Sequence, residues 1–71
     1  MQFDHSKLLG RIIEKFGSQK ALCAHIGWTA SKLSARLNNL VQFDAEDIYL
    51  LCREDVLDIP DEEIGVYFFA L

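Results

Sequence analysis

The segment Ser18 to Asn39, SQKALCAHIGWTASKLSARLNN, constrains the fold more than any other part of the chain. Leu22, Cys23 and Ile26 recur at helical spacing, and so do Leu33 and Leu37. Gly27 separates the two runs, at a place where the backbone must turn in a way that is costly for other residues. Thr29 follows as a cap for a second helix. The spacing therefore predicts two short helices joined by a tight turn, the helix-turn-helix plan. In DNA readers of this plan the second helix usually enters the major groove.

The rest of the chain extends the pattern into an all-α, compact five-helix bundle. Leu8, Leu9, Ile12, Ile13 and Phe16 predict a first helix, with Asp4 as its cap and Gly17 as its stop. Phe3 is placed to staple onto Leu8, Trp28 onto Leu33, and Phe43 onto Ile48. Asp44 opens a fourth helix with Ile48, Leu51 and Cys52 inward. Pro60 opens a fifth, whose first turn holds Asp61, Glu62 and Glu63, where the helix dipole favours negative charge. The expected helices lie near 5–16, 19–26, 30–38, 45–54 and 61–69, in one domain over 1–71. No segment alternates with period two for long enough to read as a strand.

Composition excludes several classes. With 51% hydrophobic residues the chain is too apolar to be disordered. No apolar run reaches membrane-spanning length and no signal peptide opens the chain, so a cytoplasmic location is expected. Cys23 and Cys52 fall on apolar faces and read as buried free thiols. His5 and His25 do not stand at metal-ligand spacing with them, so neither metal nor cofactor is expected. No paired carboxylates, activated nucleophile or phosphate-binding loop points to an enzyme.

Charge divides the chain in two. Residues 1–42 carry Lys7, Arg11, Lys15, Lys20, Lys32 and Arg36 against Asp4 and Glu14, a net +4. Residues 43–71 carry Arg53 against nine carboxylates, a net −8. The stripe Lys7, Arg11 and Lys15 reads as a solvated face. A basic half approaches phosphates; an acidic half is repelled by them and attracts basic proteins.

Two function classes follow. In a DNA reader, Arg36 would bond guanine, Asn38 adenine, and Gln19 and Lys32 the backbone, with Ser31 on the same exposed side of the second motif helix. In an interaction protein, the last helix carries the function. Its wheel sends Ile64, Tyr67, Phe68 and Leu71 inward and leaves Val66 and Phe69 outward, rimmed by Asp61, Glu62 and Glu63. Trp28 reads as packed behind the turn.

The segments DHSKLLGRIIEKFG, SQKALCAHIGWTASKLSARLNN and EEIGVYFF together resemble the small Cro-like helix-turn-helix regulators of phages of Gram-positive bacteria, and within that group the antirepressors of lactococcal temperate phages. The resemblance covers nearly the whole chain. It implies a lambda-repressor-like bundle and a role in the lysis–lysogeny switch of a phage in its bacterial host. It also implies a partner, the phage repressor, engaged through its N-terminal DNA-binding domain. Operator DNA, bound alone or with the repressor, is the partner under the Cro-type alternative. Many relatives carry more Lys or Arg in the second motif helix and the loop after it. Here the loop is Leu40, Val41, Gln42 and Phe43, without a base. Pro60 and Asp61 stand where relatives more often have a polar cap and a lysine.

Overall fold

Several helix ends of the chain have a local cause. The computed structural model describes residues 2–71. Helix α1 spans Ser6–Phe16, α2 Gln19–Ile26, α3 Ala30–Leu37, α4 Ala45–Cys52 and α5 Ile64–Phe68. A single 3₁₀ turn, Asp61–Glu63, leads into α5. The described residues contain no strand. Nor is any helix among them long and apolar enough to cross a membrane.

The Ser18 hydroxyl accepts the Ala21 N–H at 3.1 Å, and the Thr29 hydroxyl accepts the Lys32 N–H at 3.1 Å. Each satisfies a donor that the first turn of its helix leaves free. Asp44 caps α4 by accepting the Asp47 N–H at 2.8 Å, while the Asp47 carboxylate accepts the Asp44 N–H at 3.1 Å. Glycine ends α2: Gly27 has φ 77° and donates its N–H to the Cys23 carbonyl at 2.9 Å.

Three boundaries in the first four helices depart from the sequence expectation. His5, not Asp4, takes the cap position of α1, without a side-chain cap bond. Asp4 instead reaches two residues on and accepts the Ser6 N–H at 2.9 Å, a local turn that short acidic side chains favour. Helix α3 stops one residue early because Asn38 already sits at the cap. Helix α4 ends at Cys52 because Arg53 leaves helical geometry at ψ 150°. The chain then folds back: the Leu57 N–H donates to the Leu51 carbonyl at 3.0 Å and the Ile59 N–H to the Cys52 carbonyl at 3.3 Å. This return buries Val56, Leu57 and Ile59. Arg11 holds it from α1, with Nε donating to the Leu57 carbonyl at 2.8 Å and Nη2 to the Asp58 carbonyl at 2.9 Å. Arg11 is thus a brace rather than part of a solvated stripe.

The fifth helix is shorter than expected, and this moves one residue. The backbone leaves helical geometry at Phe69, φ −127°. A helical wheel drawn through Leu71 therefore fails, and Leu71 is 82% exposed instead of inward. Phe68 is fully buried, with Ile64 and Tyr67 packed against the core.

Leu8 and Ile12 of α1, Leu22 of α2, Leu33 of α3, Leu51 of α4, Leu57 and Phe68 fill the centre. Helix α1 packs on α2 and α5, α2 on α3, and α4 on α5. Cys23 is buried and Cys52 half-buried, both as free thiols. Phe3 sits edge-on to Phe69 at 5.5 Å between ring centroids. Trp28 is half-buried against the core.

Candidate functional site

The turn at Gly27 and the Thr29 cap set the direction of α3, and so fix which of its side chains reach solvent. Ser31 and Lys32 are exposed, as is Gln19 in the first turn of α2. Arg36 is not free. Its Nε donates to Asp47 Oδ2 at 2.8 Å, its Nη1 donates to the Lys32 carbonyl at 3.1 Å, and its side chain is 15% exposed. The guanidinium also lies 5.3 Å from the centre of the Trp28 ring, which the Lys32 ammonium covers at 4.5 Å. Asn38 spends its amide donors at home, on the Ser34 carbonyl at 2.9 Å and the Ser34 hydroxyl at 3.1 Å.

Asp47 is the hinge of this arrangement. Burial opposes its charge, but the Arg36 hydrogen bond, the Asp44 N–H and the charges of Arg36 and Lys32 outweigh that. They hold its carboxyl below the ordinary aspartate value. The sequence reading named Arg36 for bases and missed Asp47 as its partner. The signal was present in the spacing Asp44-x-x-Asp47, a capping-box pattern that places an acid close to α3. Gln19 and Asn38 come together in a cleft of about 330 Å³ that Asp4 also lines, while Lys32, Ser31 and Arg36 lie outside it.

The C-terminal residues form a second surface. Asp61, Glu62 and Glu63 are all exposed on the 3₁₀ turn. Val66 is 42% and Phe69 47% exposed, so both point outward. Two contacts fix this end of the chain. The Asp4 N–H donates to the Ala70 carbonyl at 2.7 Å. Asn39, in the left-handed region at φ 64°, clasps Phe3: Oδ1 accepts its N–H at 3.1 Å and Nδ2 donates to its carbonyl at 2.9 Å. Phe3, Val41, Phe43, Phe68 and Phe69 thereby meet around a cavity of about 30 Å³. His5 lies beside it, buried, with Nδ1 donating to the Leu37 carbonyl at 3.2 Å and Nε2 without a partner. Sequence reasoning missed the apolar residues that meet Phe69 at this end, Phe3 and Val41, the latter 45% exposed; Leu40, the next residue in the loop, is 79% exposed. A loop holding Leu40 and Val41 side by side was the available sign, since such loops are ordinarily polar.

A family model described as "Protein of unknown function (DUF739)" matches residues 1–70. The chain is a member of the DUF739 family. Among solved structures, this DUF739 protein is similar to the modulator of repression (MOR) of the temperate bacteriophage TP901-1 from Lactococcus lactis, a solution structure. The two are 33% identical, with a TM-score of 0.82 over 97% of this chain and 90% of that one. The resemblance read from the sequence thus holds in three dimensions. No curated protein matches the chain.

Proposed function

We propose that this chain regulates a phage genetic switch as an antirepressor. It binds the N-terminal DNA-binding domain of the phage repressor in the host cytoplasm, keeps that domain from its operator and so favours the lytic cycle. The observation that carries this reading is the outward pair Val66 and Phe69, which follows the exposed carboxylates of Asp61, Glu62 and Glu63 in the chain. It occurs in a chain 33% identical to a protein described as a modulator of repression. A repressor's DNA-binding face is basic, because it must neutralise phosphates. An acid-rimmed apolar surface complements such a face: Phe69 anchors, and the carboxylates steer and orient the encounter. The repressor cannot then hold DNA with the same face.

The Cro-type alternative is supported less well. It asks Arg36 and Asn38 to read bases, but Arg36 Nε and Nη1 and Asn38 Nδ2 already donate within the chain. Gln19, Ser31 and Lys32 stay exposed and are the residues through which any operator contact would run.

A gel shift on operator DNA from the neighbouring switch region tests the proposal, with and without the repressor encoded beside this protein. Release of DNA from the repressor, with no shift by this protein alone, is the expected result. A specific, salt-sensitive shift by this protein alone supports the Cro-type reading instead.

A further inference from the structure

Sharing Asp61 with the acidic rim of the Val66 and Phe69 surface, the molecule carries a groove of about 270 Å³ between α4 and the turn into α5. Ala45, Ile48 and Tyr49 form one wall, Asp61 and Ile64 the other. Tyr49 is 76% exposed, whereas Ile48 and Ile64 are partly buried against the core. Asp61 forms no ion pair among the described residues. Nor does a nearby base serve it: Arg53 is the one cation of residues 43–71, and it is paired with Asp55 at 3.0 Å. The charge of Asp61 reaches inward as well, since it adds to burial in pushing up the Cys52 thiol.

We propose that this groove receives an arginine side chain of a basic protein partner, its stem lying on Ile48 and Ile64, its guanidinium meeting the Asp61 carboxylate and stacking on the Tyr49 ring. The identity of the partner as the repressor rests on the antirepressor reading above; the chemistry of the groove does not. An arginine fits each wall for its own reason. Its methylene stem covers apolar surface while its head stays wet. Its planar head matches a carboxylate and prefers an aromatic face. The net charge of −8 over residues 43–71 favours a cation over an apolar chain end. Arginine and tyrosine are also the residue types that most often dominate protein interfaces.

The first arm of the test uses the full chain alone, followed by methyl and aromatic NMR, with N-acetyl-arginine N-methylamide as the probe and the norleucine analogue as control. Saturable shifts at the Ile48 and Ile64 methyls and the Tyr49 ring are expected. They should weaken about tenfold for norleucine and in Asp61→Asn. Shifts that spread over Glu46, Glu62 and Glu63 without the isoleucine methyls overturn the proposal. So does a response that Asp61→Asn leaves unchanged. The second arm measures the affinity of the repressor's DNA-binding domain for Tyr49→Ala and Asp61→Asn. Both positions are exposed, so circular dichroism should match the parent. About tenfold weaker binding is expected. If the domain binds but ignores both substitutions, the groove assignment falls and the antirepressor reading stands. If the domain does not bind at all, the antirepressor reading falls and the first arm still decides the groove. Self-association that Tyr49→Ala reverses makes the occupant a second copy of this chain, and also overturns the proposal.

Discussion

Arg36 and Asp47 decide between two uses of the same helix. An arginine on the exposed side of α3 is a base reader only while its donors are free. Here its Nε lies 2.8 Å from Asp47 Oδ2, and both side chains are largely buried. Removing one member of such a pair strands the other, which costs about 3 kcal/mol or more. Asp47→Ala also opens the capping box of α4. Urea denaturation should therefore show Asp47→Ala losing a large share of a total stability of about 5 kcal/mol; a loss below about 1 kcal/mol would mean that the pair behaves as a solvated surface bridge. The pH dependence has a definite sign. The Asp47 carboxyl lies below its ordinary value when folded, so its charge stabilises the folded state at neutral pH. That contribution is fully present above the unfolded value of about 3.9 and is lost as pH falls through the folded value. Denaturation at stepwise lower pH should show this loss in the parent and less of it in Asp47→Asn. Equal acid sensitivity in both proteins would assign the loss to other carboxylates.

The helices show what sequence pattern conveys and what it does not. Ser18, Thr29, Asp44 and Gly27 act locally, through bonds spanning three or four residues or through their own backbone angles, and each is legible in the sequence. The return of residues 53–59 is not legible, because bonds from Leu57 and Ile59 back to α4 and the brace from Arg11 depend on packing across the fold. Leu71 was misread for a related reason: the wheel assumes a helix that the backbone ends at Phe68. The candidate partner surface divides in the same way. Val66 and Phe69 follow from periodicity, whereas Phe3 and Val41 join Phe69 only through the clasp of Asn39. Two glycines test the element scale. At Gly27 an added Cβ meets nothing within 4 Å, so the cost of Gly27→Ala is conformational alone, about 1–2 kcal/mol at φ 77°. At Gly10, mid-helix, exposed and equally open, Gly10→Ala should stabilise α1 by about 0.5–1 kcal/mol. Thermal melts should move in opposite directions. Both falling would show that Gly10 serves a contact beyond the isolated chain.

At the scale of the whole molecule, a net charge of −4 conceals a chain of two opposite parts. Residues 43–71 concentrate the carboxylates, and three of them, Asp61, Glu62 and Glu63, stand together and exposed before α5. Such an arrangement acts at long range, before any contact forms, and is screened over about 8 Å at physiological salt. Phe69 acts only in contact. The two therefore divide the kinetics of binding to a basic repressor domain. Phe69→Ala should raise the dissociation rate about tenfold or more, with the association rate little changed. Glu62→Lys with Glu63→Lys reverses two charges at the rim. This pair should slow association by about tenfold at low salt and flatten its salt dependence, while dissociation changes less. Stopped-flow association over a salt series separates the cases. An association rate and salt slope that match the parent in the doubly reversed variant would remove these carboxylates from the encounter and leave Phe69 and its neighbours to account for recognition by packing alone.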